Sequence, residues 1–232
     1  MQFAQAAVVF SEDFGTLANG TNITTGNTDL TYVRVGTQGG SITALSPSTV
    51  GSGSSLLMTG PSGGSLNGIG VGSGLDFGGQ QIITMEFDFS FSTTTGTVVW
   101  GLGSGDRFTG NNTFSTNQGL VWFQVTGTTL QRRTSSAWTD VATGLAIDEP
   151  YSFLVSIDNA SNLMHVFLNG SPVASGVAVT TENLVPDGFR IYSVTGRDVE
   201  IDNILLTASP EPSTALLFGL GLLTLLRRRR RG

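Results

Sequence analysis

From Ala7 onward the chain is written in short runs whose apolar and polar residues alternate with a period of two, broken by Gly, Asn, Asp and Ser. That period belongs to strands with one face in a core and the other toward solvent. No stretch keeps a helical period before residue 213. The first strands are predicted over Ala7–Phe10, Leu30–Val35, Ser41–Leu45, Ser55–Thr59 and Leu66–Val71. They continue over Gln81–Phe91, Thr97–Leu102, Gly119–Val125, Thr128–Arg133 and Ala137–Val141. The last set is Tyr151–Ile157, Leu163–Leu168, Pro172–Val179, Gly188–Val194 and Asp198–Thr207. About fifteen short strands joined by tight turns predict an all-β domain over residues 7–207, a two-sheet antiparallel sandwich of the jelly-roll kind. Asn169-Gly170 is the preferred pair for a type I′ hairpin, and Asp158-Asn159-Ala160-Ser161-Asn162 supplies a second turn. The Gly- and Ser-rich region from 46 to 79 reads as surface loop around a strand at Leu56-Leu57-Met58.

The alternation stops at the C-terminal end. Residues 208–214 form a linker, Ala215 to Leu226 is an uncharged run with Thr224 as its one polar residue, and residues 227–232 are Arg227, Arg228, Arg229, Arg230, Arg231 and Gly232. The Leu-rich run predicts a hydrophobic helix. Twelve residues of helix reach about 18 Å, against roughly 30 Å of bilayer hydrocarbon, so it would cross only with local thinning and arginine snorkelling. The arginines mark the cytoplasmic side and place the preceding residues across the membrane. Polar motif, apolar helix and basic stop, in that order, resemble the PEP-CTERM tail of bacterial exported proteins. The resemblance implies recognition at Pro210, Glu211, Pro212 and Ser213 by an exosortase, a membrane transpeptidase, which removes the helix. The product would reside at the cell surface or in an extracellular polysaccharide matrix. At the other end, Ala4-Gln5-Ala6 has the small-x-small form of a signal-peptidase site, so residues 1–6 are read as the remnant of a secretory signal whose upstream part precedes Met1.

Composition narrows the function classes. With 39% hydrophobic residues the chain can fill a core, and with no cysteine it has neither disulfides nor thiolate chemistry. The formal charge of −6 conceals an asymmetry. Setting aside Glu211 and the five tail arginines leaves a lysine-free body with 16 acidic and 6 basic residues. That balance argues against binding to nucleic acid through phosphate contacts.

The unit Tyr151 to Asp158, a polar turn, then Met164 to Gly170 resembles the laminin-G and concanavalin A-like sandwiches. So do the opening Ser11-Glu12-Asp13-Phe14 and the closing Val199-Glu200-Ile201-Asp202-Asn203-Ile204. Glycosidases of the laminarinase and lichenase type share that fold and use a Glu-x-Asp-x-Glu strand. Here Glu86 and Asp88 match, but Ser90 takes the third position, so the resemblance does not supply the family's carboxylate pair. Glu86 and Asp88 therefore stand as candidates on one strand face, within a body read as non-catalytic. His165, the single histidine, has no second imidazole or thiol to build a zinc site and reads as structural.

Glycan binding fits better, because sugar rings stack on exposed aromatics while amides and carboxylates hold their hydroxyls. Trp138, which alternates with Ser136 and Asp140, is the leading platform; Trp122 is a second candidate and Trp100 reads as core. Asp106, Arg107, Asn111 and Asn112 are candidate rim residues. Sandwiches of this kind often hold a structural Ca²⁺, for which Asp158, Asn159 and Asp202, with Asn162 and Asn203, have suitable oxygens. Two other readings stay open: a carbohydrate-active enzyme centred on Glu86 and Asp88, and a matrix protein with no ligand.

Overall fold

The computed structural model describes residues 6–15, 17–22, 33–35, 40–61, 66–71, 75–77, 81–104, 119–182 and 184–209. They form fifteen strands: β1 Ala7–Glu12, β2 Val33–Val35, β3 Ile42–Leu45, β4 Ser55–Met58, β5 Leu66–Val71, β6 Ile82–Phe91, β7 Thr97–Gly103 and β8 Gly119–Thr126, followed by β9 Thr129–Arg133, β10 Trp138–Thr143, β11 Tyr151–Asp158, β12 Leu163–Leu168, β13 Ser171–Ala178, β14 Gly188–Val194 and β15 Val199–Ser209. No helix occurs among the described residues, and none there is long and apolar enough to cross a membrane. The helix expected over 215–226 lies outside them. The domain boundary expected at residue 207 moves, because Ala208 and Ser209 belong to β15 and pair with Ile83 and Ile82.

Two antiparallel sheets result. The first has the order β13-β12-β11-β6-β15-β4-β3, with β1 also on β15; the second runs β10-β9-β8-β7-β14-β5-β2. Strand β6 shows why these segments are strands. Ile83, Met85, Phe87, Phe89 and Phe91 are at most 1% exposed, while Thr84, Glu86 and Asp88 between them are half-buried. Its neighbour β11 repeats the pattern with Phe153, Val155 and Ile157, in register with Phe87, Met85 and Ile83. The inward sides of both sheets meet in an aromatic knot. Phe87 meets Trp100 edge-on at 5.4 Å, Phe153 meets Trp100 at 5.1 Å, and Phe123 meets Phe153 at 4.9 Å. Such tilted contacts add to the area that the rings bury.

Polar groups close the ends. Arg197 is fully buried and donates to the carbonyls of Thr95, Val125 and Gly127, with its guanidinium 4.7 Å from the Phe91 ring centre. Burial lowers its pKa to about 10. At the other end of the sandwich, Ala7 pairs with Ala208, and Ile82 pairs with both Ser209 and Asp158. The second sheet brings Arg133 and Trp138 to that same end, where Arg132 Nη1 donates across to Ala178 O on β13.

Phe87→Ala is expected to cost about 3–5 kcal/mol in denaturant unfolding, the usual range for emptying a packed aromatic site. Val8→Ala, at a position 62% exposed, should change stability by less than about 0.5 kcal/mol in the same assay.

Candidate functional site

The outward face of the second sheet carries two adjacent rungs of side chains. One runs across the strands through Tyr192, Val99, Gln124, Gln131 and Asp140. The other runs through Arg190, Gly101 and Trp122, with Arg133 and Trp138 paired beyond them. Leu66, Val99, Trp122 and Tyr192 form a second apolar cluster here, flanked by Trp138 and Val194. Glycine shapes this floor: a Cβ on Gly101 would fall 2.5 Å from Trp122 Cε3, and one on Gly119 would fall 1.6 Å from Trp122 Nε1. Only bare backbone lets the indole lie that close to the sheet.

This geometry sorts the tryptophans. Trp138 is half-buried, and the Arg133 guanidinium lies 5.5 Å from its ring centre. Trp122 is corrected from platform to floor, since it is only 4% exposed. Trp100 is core, as read from the sequence. Arg190 stacks 4.5 Å from the Tyr192 ring centre, and burial pushes the Tyr192 phenol well above its ordinary value. Beside Trp138, Gln124 Nε2 donates to Gln131 Oε1 at 2.6 Å and Gln131 Nε2 donates to Asp140 Oδ1 at 2.7 Å. Asp106, Arg107, Asn111 and Asn112 lie outside the described residues. Arg133, Gln124 and Gln131 escaped the sequence reading, although counting outward from the Thr134–Ala137 turn places Arg133 opposite Trp138.

The outward face of the first sheet is acidic. Glu86 lines a cavity of about 420 Å³ with Ser11, Glu12, Asp13, Asn203, Ile204 and Leu205. Glu12 Oε1 accepts from the Phe14 amide and Asp13 Oδ1 from the Gly15 amide, which fixes the turn that leaves β1. Asp88 Oδ2 accepts from Asn203 Nδ2 at 2.8 Å. Asn203 occupies an irregularity in the β15–β6 register and has φ +53°, a conformation that Asn tolerates better than most residues.

Beneath lies Asp202, fully buried. Its Oδ1 accepts from the Asn203 amide at 2.8 Å, and its Oδ2 has no hydrogen-bond partner among the described residues. Burial, with the charges of Asp88 and Asp13 adding to it, raises its pKa to about 6. The loop over it is pressed close, for a Cβ on Gly51 would meet Asp202 Oδ2 at 2.1 Å. Glu200 holds that loop by accepting from the Thr49 amide and from the hydroxyls of Thr49, Ser55 and Ser48.

The metal set expected from Asp158, Asn159 and Asp202 does not assemble. Asp158 pairs with Ile82 and Asp202 with Asp88, so the two stand six β6 residues apart, about 20 Å. The Asp158 carboxylate instead caps its own turn, accepting from the Ala160 amide and from the Ser161 amide and hydroxyl; the Ser161 hydroxyl is the main cause of its lowered pKa. Among the described residues no three His, Asp or Glu side chains converge as a metal site, so an ion at Asp202 would draw on backbone or water oxygens as well. His165 Nδ1 lies 2.8 Å from the Ser175 hydroxyl, an arrangement that fits the structural role expected for it.

Several solved structures share the fold. The cellulose-induced protein Cip1 matches with a TM-score of 0.58 and 12% identity, over 85% of this chain and 96% of that one. Domain 4 of AbnA, a GH43 extracellular arabinanase from Geobacillus stearothermophilus in complex with arabinotriose, matches with a TM-score of 0.51 and 16% identity, over 90% and 96%. A sialidase matches with a TM-score of 0.57 and 10% identity over 88% of this chain, which spans only 18% of the sialidase. A search of curated proteins finds no match. Residues 210–231 match the PEP-CTERM protein-sorting motif, which implies export and exosortase processing. The protein is therefore an all-β, two-sheet sandwich that carries a PEP-CTERM sorting motif directly behind its last strand.

Proposed function

We propose that the body is a non-catalytic glycan-binding module which the tail delivers to the cell surface or an extracellular polysaccharide matrix. The finer architecture proposed is a concanavalin A-like jelly roll followed by a membrane-held helix over 215–226. Arg227–Arg231 would stay on the cytoplasmic side until an exosortase cuts near Pro210-Glu211-Pro212. The observation that carries the binding reading is the half-buried Trp138, which reaches the surface beside the hydrogen-bonded Gln124–Gln131–Asp140 row. An indole face suits the C–H side of a sugar ring, and oriented amides and a carboxylate suit its hydroxyls. The arabinotriose held by domain 4 of AbnA supports this reading at the level of fold.

A second reading, a carbohydrate-active enzyme, draws on the cavity where Glu86 shares a wall with Glu12 and Asp13. Glycoside hydrolysis needs two carboxylates across a sugar, and this cavity holds them on separate strands and turns. A glycan array with the full chain separates the readings. Trp138→Ala is expected to weaken binding by about tenfold, the scale of one lost stacking contact, and Glu86→Gln to leave it unchanged. Release of reducing sugar by the wild type that stops in Glu86→Gln would replace the binding module with the enzyme. Silence across the array would leave a ligand-free matrix protein.

Structural calcium belongs to the same proposal, with Asp202 as the residue that would hold it. Its carboxylate protonates in the folded state at about pH 6, against an ordinary 3.8. Between those values the folded chain binds more protons than the unfolded one, so without calcium this group's contribution to stability falls as pH rises from about 4 to about 6. Asp202→Asn should flatten that slope and add up to about 3 kcal/mol at pH 7, measured by urea unfolding at several pH values. Millimolar calcium at pH 7 should raise the wild-type Tm by several degrees, as expected for an ion that binds only the folded chain, and leave Asp202→Asn unmoved. A wild-type Tm indifferent to calcium removes the ion.

A further inference from the structure

The two sheets carry opposite charge. Strands of the first sheet contain Glu12, Glu86, Asp88, Asp158, Glu200 and Asp202 and no arginine. Strands of the second contain Arg34, Arg132, Arg133 and Arg190, with Asp140 as their one acid. In a lysine-free body with a large acidic excess, the cations are gathered on the sheet that also presents Trp138. Most of these guanidinium groups have other work. Arg132 donates to Ala178 O at 3.2 Å, Arg190 is 3% exposed against Tyr192, and Arg197, between the sheets' strands, is spent on carbonyls.

Arg133 differs. It is half-buried, its guanidinium stacks over Trp138, and it joins no ion pair and donates no hydrogen bond among the described residues. Its Nε is buried without an acceptor. Asp140, two residues along on the same face, accepts from Gln131 instead. A guanidinium backed by an indole is held flat, and its N–H edge fits a planar oxyanion through paired hydrogen bonds. On the other side of β9, a groove of about 480 Å³ brings Arg132 together with Thr134, Ser135, Thr180 and Glu182. Thr180 Oγ1 donates to Arg133 O, which ties that groove to the strand end bearing Arg133.

We infer that the glycan taken by this face is anionic, a polysaccharide bearing carboxylate or sulfate groups, with Arg133 on Trp138 as its oxyanion contact. The inference rests on the glycan-binding reading and adds the substrate class. Ring stacking alone accepts neutral sugars; the uncommitted guanidinium is what demands a charge. Carboxylate and sulfate present the same chemistry to Arg133.

The test is binding of the full chain to polygalacturonate, to its methyl-esterified form (the same rings without the charge) and to dextran sulfate, at two salt concentrations. Polygalacturonate is expected to bind more tightly than its ester and to weaken as salt rises, because screening shortens the reach of the charge. Arg133→Gln should lose about 10- to 100-fold toward polygalacturonate, the scale of a charge-assisted pair, and so close most of the gap between polygalacturonate and its ester. Arg133→Lys should recover only part of the loss, since an ammonium lacks the fork. Tighter binding to dextran sulfate than to polygalacturonate would assign the oxyanion to sulfate and still support the inference. Equal binding to polygalacturonate and its ester, or an Arg133→Gln chain that binds polygalacturonate as the wild type does, overturns the anionic class and leaves glycan binding standing. Binding to none of the three overturns both.

Discussion

The structure depends on the ladder between its last strand and β6. Residues 199–209 are inserted beside residues 82–91, more than a hundred positions earlier in the chain, with β4 and then β1 closing the other edge of β15. Contacts of such separation bear a large loop-closure cost before they return any stability. The return comes from the core under the ladder, where Phe87, Phe89, Ile201 and Leu206 are all but inaccessible to water. Both outward faces inherit their geometry from this pairing. The register irregularity at Asn203 brings its amide to Asp88 and leaves Asp202 sealed beneath the loop that Glu200 holds.

The two faces then diverge by chemistry. One gathers carboxylates whose hydrogen bonds go mostly to backbone amides and hydroxyls of neighbouring turns, with Asp202 Oδ2 as the exception. The other gathers aromatic rings and guanidinium groups over glycine-thinned backbone. A buried carboxylate with a raised pKa and a stacked arginine that pairs with no acid among the described residues are both groups that surrounding structure must hold in place.

Most of the fold was legible in the sequence because period-two alternation is a local signal. Each run predicted for the described body became a strand, and Leu66–Val71, Leu163–Leu168 and Gly188–Val194 kept their predicted bounds. What alternation does not encode is which face is covered. Trp122 sits in a run, Leu120 to Phe123, that is buried on both faces, so its exposure could not be read from its neighbours. The calcium set failed for a related reason. Asp158 and Asp202 share a residue type and a strand-rich setting, and only the register along β6 shows that they lie far apart. The grouping of Glu12 and Asp13 with Glu86 depends on the same long-range closure. Arg133 against Trp138, by contrast, is a short hairpin pairing that sequence spacing contained.

The placement of Ser209 has a bearing on the order of events. Strand β15 ends there, paired with Ile82, and the sorting motif begins at the next residue. The Arg133–Trp138 hairpin tip stands at that same end of the sandwich. A body still tethered through its tail would hold this tip toward the surface it is tethered to, shielded from long polymers by the lipid headgroups. On the glycan-binding reading proposed above, cleavage would remove that steric shadow, so that maturation and access to the polymer would become one event.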